Sequence, residues 1–364
     1  MTRSVTFVCI NGTGMGHATR ILAIARRLPE DVTPIIVSNS PALDAFELLP
    51  RAVVEHVPGI DHLDMSRRAW TNQLRREFEA LLSLYRSDVV VQDGTAIFPW
   101  VSESVTRSTR RRRLVWIRRP MWRQVRNLHR NLQDQALCDL VLEPGELAAA
   151  LDQGVTTRAN ELAPPPMQFV KTAPIRLLDQ SELLDRGAAR ALLNLRDGEK
   201  AALVQLGAGR IERNWDAAGA AINALRQRGD TRIFLARWKI AGEQPAFGAD
   251  VTVLDTYPLA RLFQAFDLIV SAAGYNSFHE IMASDRPAIF IPNQMEVDDQ
   301  SLRASFAAQS GHAEVVESRP AQDLPARVER GIARAMRKAP ARPGAFQANG
   351  AAEAADRIAA LVGR

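Results

Sequence analysis

The sequence predicts an α/β protein built from two doubly wound, Rossmann-like domains facing an interdomain cleft. Three observations predict it. Strand-sized apolar runs alternate with helical patterns nearly from end to end, as parallel sheets covered by helices require. A chain of 364 residues exceeds one ordinary core and suits two. Near its middle the pattern is broken by Pro164-Pro165-Pro166 and then by Thr172-Ala173-Pro174-Ile175-Arg176, prolines that stop helices and mark a linker. The domains are therefore placed at 1–172 and 173–345. A last amphipathic helix, roughly Phe346 to Val362 within 346–364, is expected to pack back on the first domain.

The first-domain strands are expected at Val5–Ile10, Thr33–Ser38, Val53–Val57, Val89–Gln92, Leu114–Ile117 and Leu140–Glu143. The second domain repeats the scheme with Ala202–Leu206, Arg232–Ala236, Val251–Leu254, Leu268–Val270, Ala288–Ile291 and Glu314–Val316. All are too short to span a bilayer. The first runs straight into a glycine loop, which makes it a strand and not a signal peptide. Hydrophobic and charged contents of 46% and 24% are those of a soluble globular protein. The only cysteines, Cys9 and Cys138, are flanked by apolar residues, which fits reduced thiols in a cytoplasmic protein and excludes a cysteine metal cluster.

The most informative segment is Ser271-Ala-Ala-Gly-Tyr-Asn-Ser-Phe-His-Glu280. It joins a buried strand to a helix, so its turn offers backbone N–H groups and the positive end of a helix dipole. Gly274 permits close approach of a ligand, Ser271, Asn276 and Ser277 add neutral donors, and Glu280 suits a ribose diol. The site suits a nucleotide diphosphate; an ordinary helix start is the competing reading. The second domain opens with Leu206-Gly207-Ala208-Gly209-Arg210, where the glycines allow phosphate oxygens close and Arg210 is within reach of one. Farther on, Asp299 and Gln300 suit sugar hydroxyls, although Asp299 also reads as a helix N-cap.

In the first domain, Asn11-Gly12-Thr13-Gly14-Met15-Gly16-His17 follows strand one. A nicotinamide dinucleotide site would want an acidic residue at the end of strand two, and that strand ends Val37-Ser38-Asn39-Ser40. His17, at the mouth of the expected cleft, suits proton removal from a hydroxyl near neutral pH; capping of a helix start is the alternative. Asp93, at the end of its own strand, is the candidate partner that would fix the imidazole tautomer, or else a turn residue.

Net charge is +5, and it is concentrated. Between Arg107 and Arg130 stand ten arginines and no acidic residue, with Trp116 and Trp122 interleaved and a helix expected over Met121–Arg130. This is either a surface that attracts phosphates or a solvated face.

Taken in order, Asn11–His17, Ala173–Arg176, Leu206–Gly209, Ser271–Glu280 and Asp299-Gln300 resemble the motifs of the GT-B glycosyltransferases. They are most similar to the branch that includes the bacterial enzyme adding N-acetylglucosamine to the peptidoglycan lipid intermediate, and the diacylglycerol galactosyltransferases. The form Gly14-Met15-Gly16-His17-Ala18-Thr19-Arg20 is most like bacterial glycosyltransferases of unassigned acceptor. The resemblance implies a donor diphosphate against Gly274, Asn276 and Ser277, with Tyr275 among the donor-binding residues, the ribose on Glu280, and Arg176 neutralising the pyrophosphate. It further implies the base near Val253–Tyr257, the donor sugar on Asp299 and Gln300, and Gly12, Gly14, Met15, Gly16 and His17 around the acceptor or reaction centre. Tyr275 and Phe278 stand where the family often has Ser or Thr. Ser301 replaces a second Gln, so the donor sugar does not carry across.

The expected reaction is inverting transfer from a nucleoside diphosphate sugar, UDP by family expectation, with no cofactor. The sequence holds no D-x-D pair to bind a bridging metal. The acceptor is expected to be a small molecule or lipid-linked. An anionic membrane surface would be met through Arg110–Arg113, Trp116 and Trp122, placing a cytoplasmic protein peripherally on the inner face; nucleic acid is not expected. The rivals are a nucleotide-sugar 2-epimerase of the same fold and a non-enzymatic binder of anionic polymer.

Overall fold

The computed structural model describes residues 3–10, 14–60, 63–123, 127–162, 168–207, 212–237, 240, 245–337 and 344–363. It divides into two compact units, Met1–Leu177 with Asn349–Arg364, and Leu178–Ala348. The prolines at 164–166 lie outside the described residues.

The first unit holds seven strands: β1 (Arg3–Cys9), β2 (Val32–Ser38), β3 (Val53–His56), β4 (Val89–Asp93), β5 (Arg113–Ile117), β6 (Leu140–Glu143) and β7 (Gln168–Lys171). All pairs are parallel, in the order β3-β2-β1-β4-β5-β6-β7. Helices α1 (Gly16–Ala25), α2 (Arg67–Leu84), α3 (Pro99–Thr106), α4 (Leu128–Ala136) and α5 (Val155–Glu161) connect them. Central strands covered on both faces must be apolar throughout, and Val5, Phe7, Val8, Val89, Val90 and Val91 are fully buried. The strand order reverses between β1 and β4. That switch point opens a crevice at the carboxyl ends of these two strands, where Asp93 stands.

The second unit repeats the plan with β8 (Lys200–Gln205), β9 (Thr231–Ala236), β10 (Val251–Leu254), β11 (Leu268–Ser271), β12 (Ala288–Phe290) and β13 (Ala313–Val315), ordered β10-β9-β8-β11-β12-β13. Its helices are α6 (Arg186–Leu192), α7 (Glu212–Arg228), α8 (Tyr275–Ser284), α9 (Gln300–Gln309) and α10 (Leu324–Ala335). Ala217, Ala221, Ile222 and Leu225 of α7 pack with Val328 and Ile332 of α10 over Val204 and Val270. Here the switch point lies between β8 and β11, at Gly207 and the Ser271–Gly274 turn.

The last helix, α11 (Ala351–Ala359), is part of the first unit and packs on α1. Its entry is fixed by the Asn349 carboxamide, which accepts from the Arg176 N–H (3.0 Å) and donates to the Arg176 carbonyl (3.1 Å). Gly350 then passes so close to the linker that a Cβ would lie 2.2 Å from the Ala173 carbonyl.

Three expectations change. Strand β7 was not foreseen, because Gln168-Phe-Val-Lys171 is a half-exposed edge strand without an apolar run. The expected helix over Met121–Arg130 is instead α4, beginning at Leu128 behind an Asn127 N-cap, and Met121 sits at φ 66° in a buried loop. The tryptophans of the basic run are core residues. Trp116 is fully buried, donates to the Gly94 carbonyl (3.0 Å) and meets the buried Trp122 edge-on. Neither ring is available to a membrane.

Candidate functional site

At the first switch point, β1 delivers the glycine loop and α1 begins at Gly16 with no side chain capping it. Gly12 lies outside the described residues. Among the described residues, a Cβ on Gly14 would meet nothing within 4 Å. Met15 precedes the helix, and the Ser40 hydroxyl leans 4.0 Å from its sulfur.

His17, in the first turn of α1, does not cap the helix. Its Nδ1 lies 2.7 Å from Oδ1 of Asp93, the last residue of β4. Between these stands a residue the sequence reading passed over. Arg20 bonds the same carboxylate twice, Nε to Oδ2 and Nη2 to Oδ1, both at 2.8 Å. Burial opposes the charge on Asp93, but Arg20 and then His17 outweigh it, and the carboxyl is lowered to about 2. An ionised carboxylate only accepts, so His17 Nδ1 carries the proton and donates. In the neutral ring this leaves the lone pair on Nε2, and the ring is 22% exposed. Arg20 Nη2 comes within 3.3 Å of Nδ1, but a protonated Nδ1 has nothing to accept with. The signal for Arg20 was a single cation in a helix whose residues Ala18–Ala25 are otherwise uncharged and buried. A buried charge needs a partner.

At the second switch point, α8 starts at Gly274, whose extended φ/ψ (−65°, 147°) is that of an N-cap but which offers no capping side chain. Ser271 is fully buried, its hydroxyl committed to the carbonyls of Gln205 and Ala272. Its expected role as a ligand donor is thereby corrected. Tyr275 is also core: its ring packs 4.3 Å from that of His279, so only its backbone can face a ligand. Asn276, Ser277 and Glu280 are partly exposed on the outer face of α8.

Gln300 joins this turn. Its Oε1 accepts from the Asn293 N–H (3.0 Å), which turns Nε2 to within 3.8 Å of where a Gly274 Cβ would be. Asp299 is the N-cap of α9, accepting from the Leu302 N–H (3.3 Å). Behind both, buried Arg303 pairs with Asp298 (2.8 Å) and donates to the Ala273 carbonyl (3.4 Å), tying α9 to the turn. Sequence spacing did not flag this cation. Gly207 has φ 59°, a left-handed conformation that favours glycine; Gly209 and Arg210 lie outside the described residues. Tyr257 is partly exposed beyond β10, where Val253 is exposed and Asp255 pairs with Arg237 at 3.4 Å. Arg176, expected in the donor domain, belongs to the first unit and is buried.

The basic run is also relocated. Arg113 begins β5, so Arg110–Arg113 lie at the amino ends of the sheet, the edge opposite His17. Part of its charge is already matched, with Arg110 on Asp88 and Arg113 on Asp139. The expected coincidence with the acceptor end of the domain does not hold for Arg110–Arg113. No helix among the described residues is long and apolar enough to cross a membrane.

The family model of the glycosyltransferase family 28 C-terminal domain matches residues 239–359, a span that includes α8 and α9. The UDP-N-acetylglucosamine–N-acetylmuramyl-(pentapeptide) pyrophosphoryl-undecaprenol N-acetylglucosamine transferase of a Nocardioides species is 28% identical over 324 residues, 82% of this chain and 81% of that protein. Among solved structures, Acinetobacter baumannii MurG aligns with a TM-score of 0.54 at 15% identity, over 98% of this chain and 99% of its own. The UDP-GlcNAc 2-epimerase of Neisseria meningitidis, bound to UDP-GlcNAc, aligns with a TM-score of 0.67 at 11% identity, over 98% of each chain. At such identities these two structures attest the fold and nothing finer.

Proposed function

From a chain that is a glycosyltransferase of the GT-B fold with a family 28 carboxyl-terminal domain, we propose that it moves an N-acetylhexosamine or hexose from a UDP-sugar to a hydroxyl of a lipid-linked acceptor. The transfer inverts the anomeric centre and needs no metal. The observation that carries this is the His17–Asp93 pair at the first switch point, with Nδ1 of His17 held by the carboxylate and the ring partly exposed.

His17 Nε2 takes the acceptor proton as the hydroxyl oxygen attacks the anomeric carbon, and the bond to the diphosphate breaks on the opposite face. Asp93 supports the imidazolium. A general base of this kind contributes about 10²–10⁴-fold. The departing diphosphate gains charge, which the backbone of the Gly274 turn, the dipole of α8 and Gln300 Nε2 offset. Asn276 and Ser277 extend that cradle, Glu280 takes the ribose, and Asp299 with Gln300 takes the sugar hydroxyls. Gly207 leaves room for phosphate oxygens, and the segment through Tyr257 receives the base. Access to a lipid-linked acceptor fits a protein working peripherally at the inner membrane face, with contact through charge and not through Trp116 or Trp122.

The test is UDP release from UDP-N-acetylglucosamine, UDP-glucose and UDP-galactose, with and without polyprenyl-diphosphate-linked muramyl acceptor and in the presence of EDTA. Acceptor-dependent, EDTA-resistant release is expected. Conversion of the sugar without acceptor, with the phosphate bond intact, would instead make the protein an epimerase. Salt-sensitive nucleic-acid binding without affinity for any UDP-sugar would make it a polymer binder.

A further inference from the structure

We infer that Arg20 is a positioning residue of this transfer: it clamps the Asp93 carboxylate by both oxygens, fixes the plane and tautomer of the His17 ring, and limits how strongly that carboxylate stabilises the imidazolium. The inference rests on the reading of His17 as the base. A carboxylate that serves a histidine alone can rotate about its last bond and gives the ring its whole charge. Asp93 does neither. Two parallel N–H···O bonds of 2.8 Å from one planar fork remove the rotation. The oxygen that receives His17 is one of the two already held, with the Arg20 Nη2 only 3.3 Å from the imidazole nitrogen.

Arg20 reaches this place from one turn farther along the same helix, so His17 and its regulator move as one body. No solvent screens the clamp, since Arg20 and Asp93 are 2% and 1% exposed. Arg20 and His17 are the charged groups that act on Asp93; from β5 its register partner is the apolar Ile117, and the buried Arg118 that follows is paired with Glu143. Cys9 ends β1, and its thiol is pushed up by burial and then by Asp93, which keeps it neutral. Ser38, at the end of β2, bonds the Cys9 thiol and carries no charge. Asn11–Thr13 have no titratable side chain. The carboxylate that faces His17 is thus shared with Arg20.

The experiment follows the His17 imidazole by NMR across pH in the full-length chain without substrate, beside UDP release with acceptor. In Arg20→Gln the imidazole midpoint is expected to move up by about one pH unit or more, because a like charge has gone. Its kcat falls about 10-fold with donor KM within about twofold, the pattern of a lost transition-state arrangement. In Arg20→Lys the midpoint returns to near that of the wild type, yet kcat recovers only in part, since an ammonium cannot grip both oxygens. An unmoved midpoint or unchanged kcat in folded Arg20→Gln overturns the inference. Should that variant not fold, an unchanged kcat in Arg20→Lys does so. Should the wild type release no UDP, the proposed function falls, and the NMR midpoints still decide what Arg20 does.

Discussion

His17 and Asp93 separate two quantities that a buried ion pair usually confounds. The histidine is part of the reaction and only lightly part of the fold, being partly exposed with a single strong bond. His17→Ala is expected to lower kcat by about 10²–10⁴-fold while the thermal shift produced by UDP is unchanged. A comparable loss of UDP binding would mean that the ring serves the donor instead. Asp93 is the reverse case, because it holds the crevice together. Its carboxyl is lowered from 3.8 to about 2 on folding. A depressed folded value contributes stability that is complete above the ordinary value and is lost as pH falls through the folded one. The window is therefore pH 4 to 2, and the contribution is on the order of 2 kcal/mol. Urea midpoints of the wild type should fall steeply across that window and those of Asp93→Asn should not. At neutral pH the same variant should lose about 3–5 kcal/mol, since it leaves Arg20 buried without its counter-charge. Parallel pH profiles for the two proteins would show that the carboxylate is not the group lost in acid. At this scale the sequence was only partly legible. His17 and Asp93 announce themselves by chemical type, whereas Arg20 gains its meaning from a carboxylate 73 residues distant, and Arg303 from Asp298 together with the Ala273 carbonyl across the turn. Ser271 and Tyr275 misled for the opposite reason. Their polar atoms suit a ligand, but strand and helix periodicity turn them inward.

Among the elements, the strand-to-helix turn at Gly274 is where fold and proposed function can be pulled apart. Its φ of −65° suits any residue, and an added Cβ would find Gln300 Nε2 at 3.8 Å, an ordinary contact. The fold therefore tolerates alanine there, losing no more than about 1 kcal/mol for a poorer N-cap. A diphosphate lying against the turn would not. Gly274→Ala should keep the wild-type melting temperature within a few degrees and lose most of the UDP-induced shift; retention of that shift would remove the turn from donor binding. The sheets themselves were legible because fully covered parallel strands must be continuous apolar runs, and all twelve expected strands are present. The thirteenth, β7, needs only one partner and shows half its surface to water, so its composition carries little signal. Arginine and tryptophan between 107 and 130 suggested an interfacial surface, but composition does not reveal direction. The indoles fill the space beside β5, while buried Arg118 is held by Asn131, Gln135, Asn160 and Glu143.

At the scale of the molecule, the two units differ in how they are assembled from the chain. The second, Leu178–Ala348, is one continuous stretch with its sheet, its helices and the Gly274 turn all inside it. The first is interrupted, because its last helix arrives from Asn349 onward. That helix buries Ala351, Ala354, Ala355 and Ile358, and it is anchored by Asn349 on Arg176 and by the Gly350 N–H on the Pro174 carbonyl (2.9 Å). Removing it would uncover the apolar residues of α1 that carry His17 and Arg20. A fragment of residues 178–348 should accordingly fold alone, melt cooperatively and be stabilised by UDP, following the mass-action dependence on ligand concentration. A fragment of residues 1–177 should aggregate or melt well below the full chain, and should recover when residues 349–364 are rejoined to it through a flexible linker. Circular dichroism melts of the three proteins check this. A stable, monomeric 1–177 would mean that the last helix is an accessory, and a 178–348 fragment that folds without responding to UDP would move donor recognition away from the turn at Gly274.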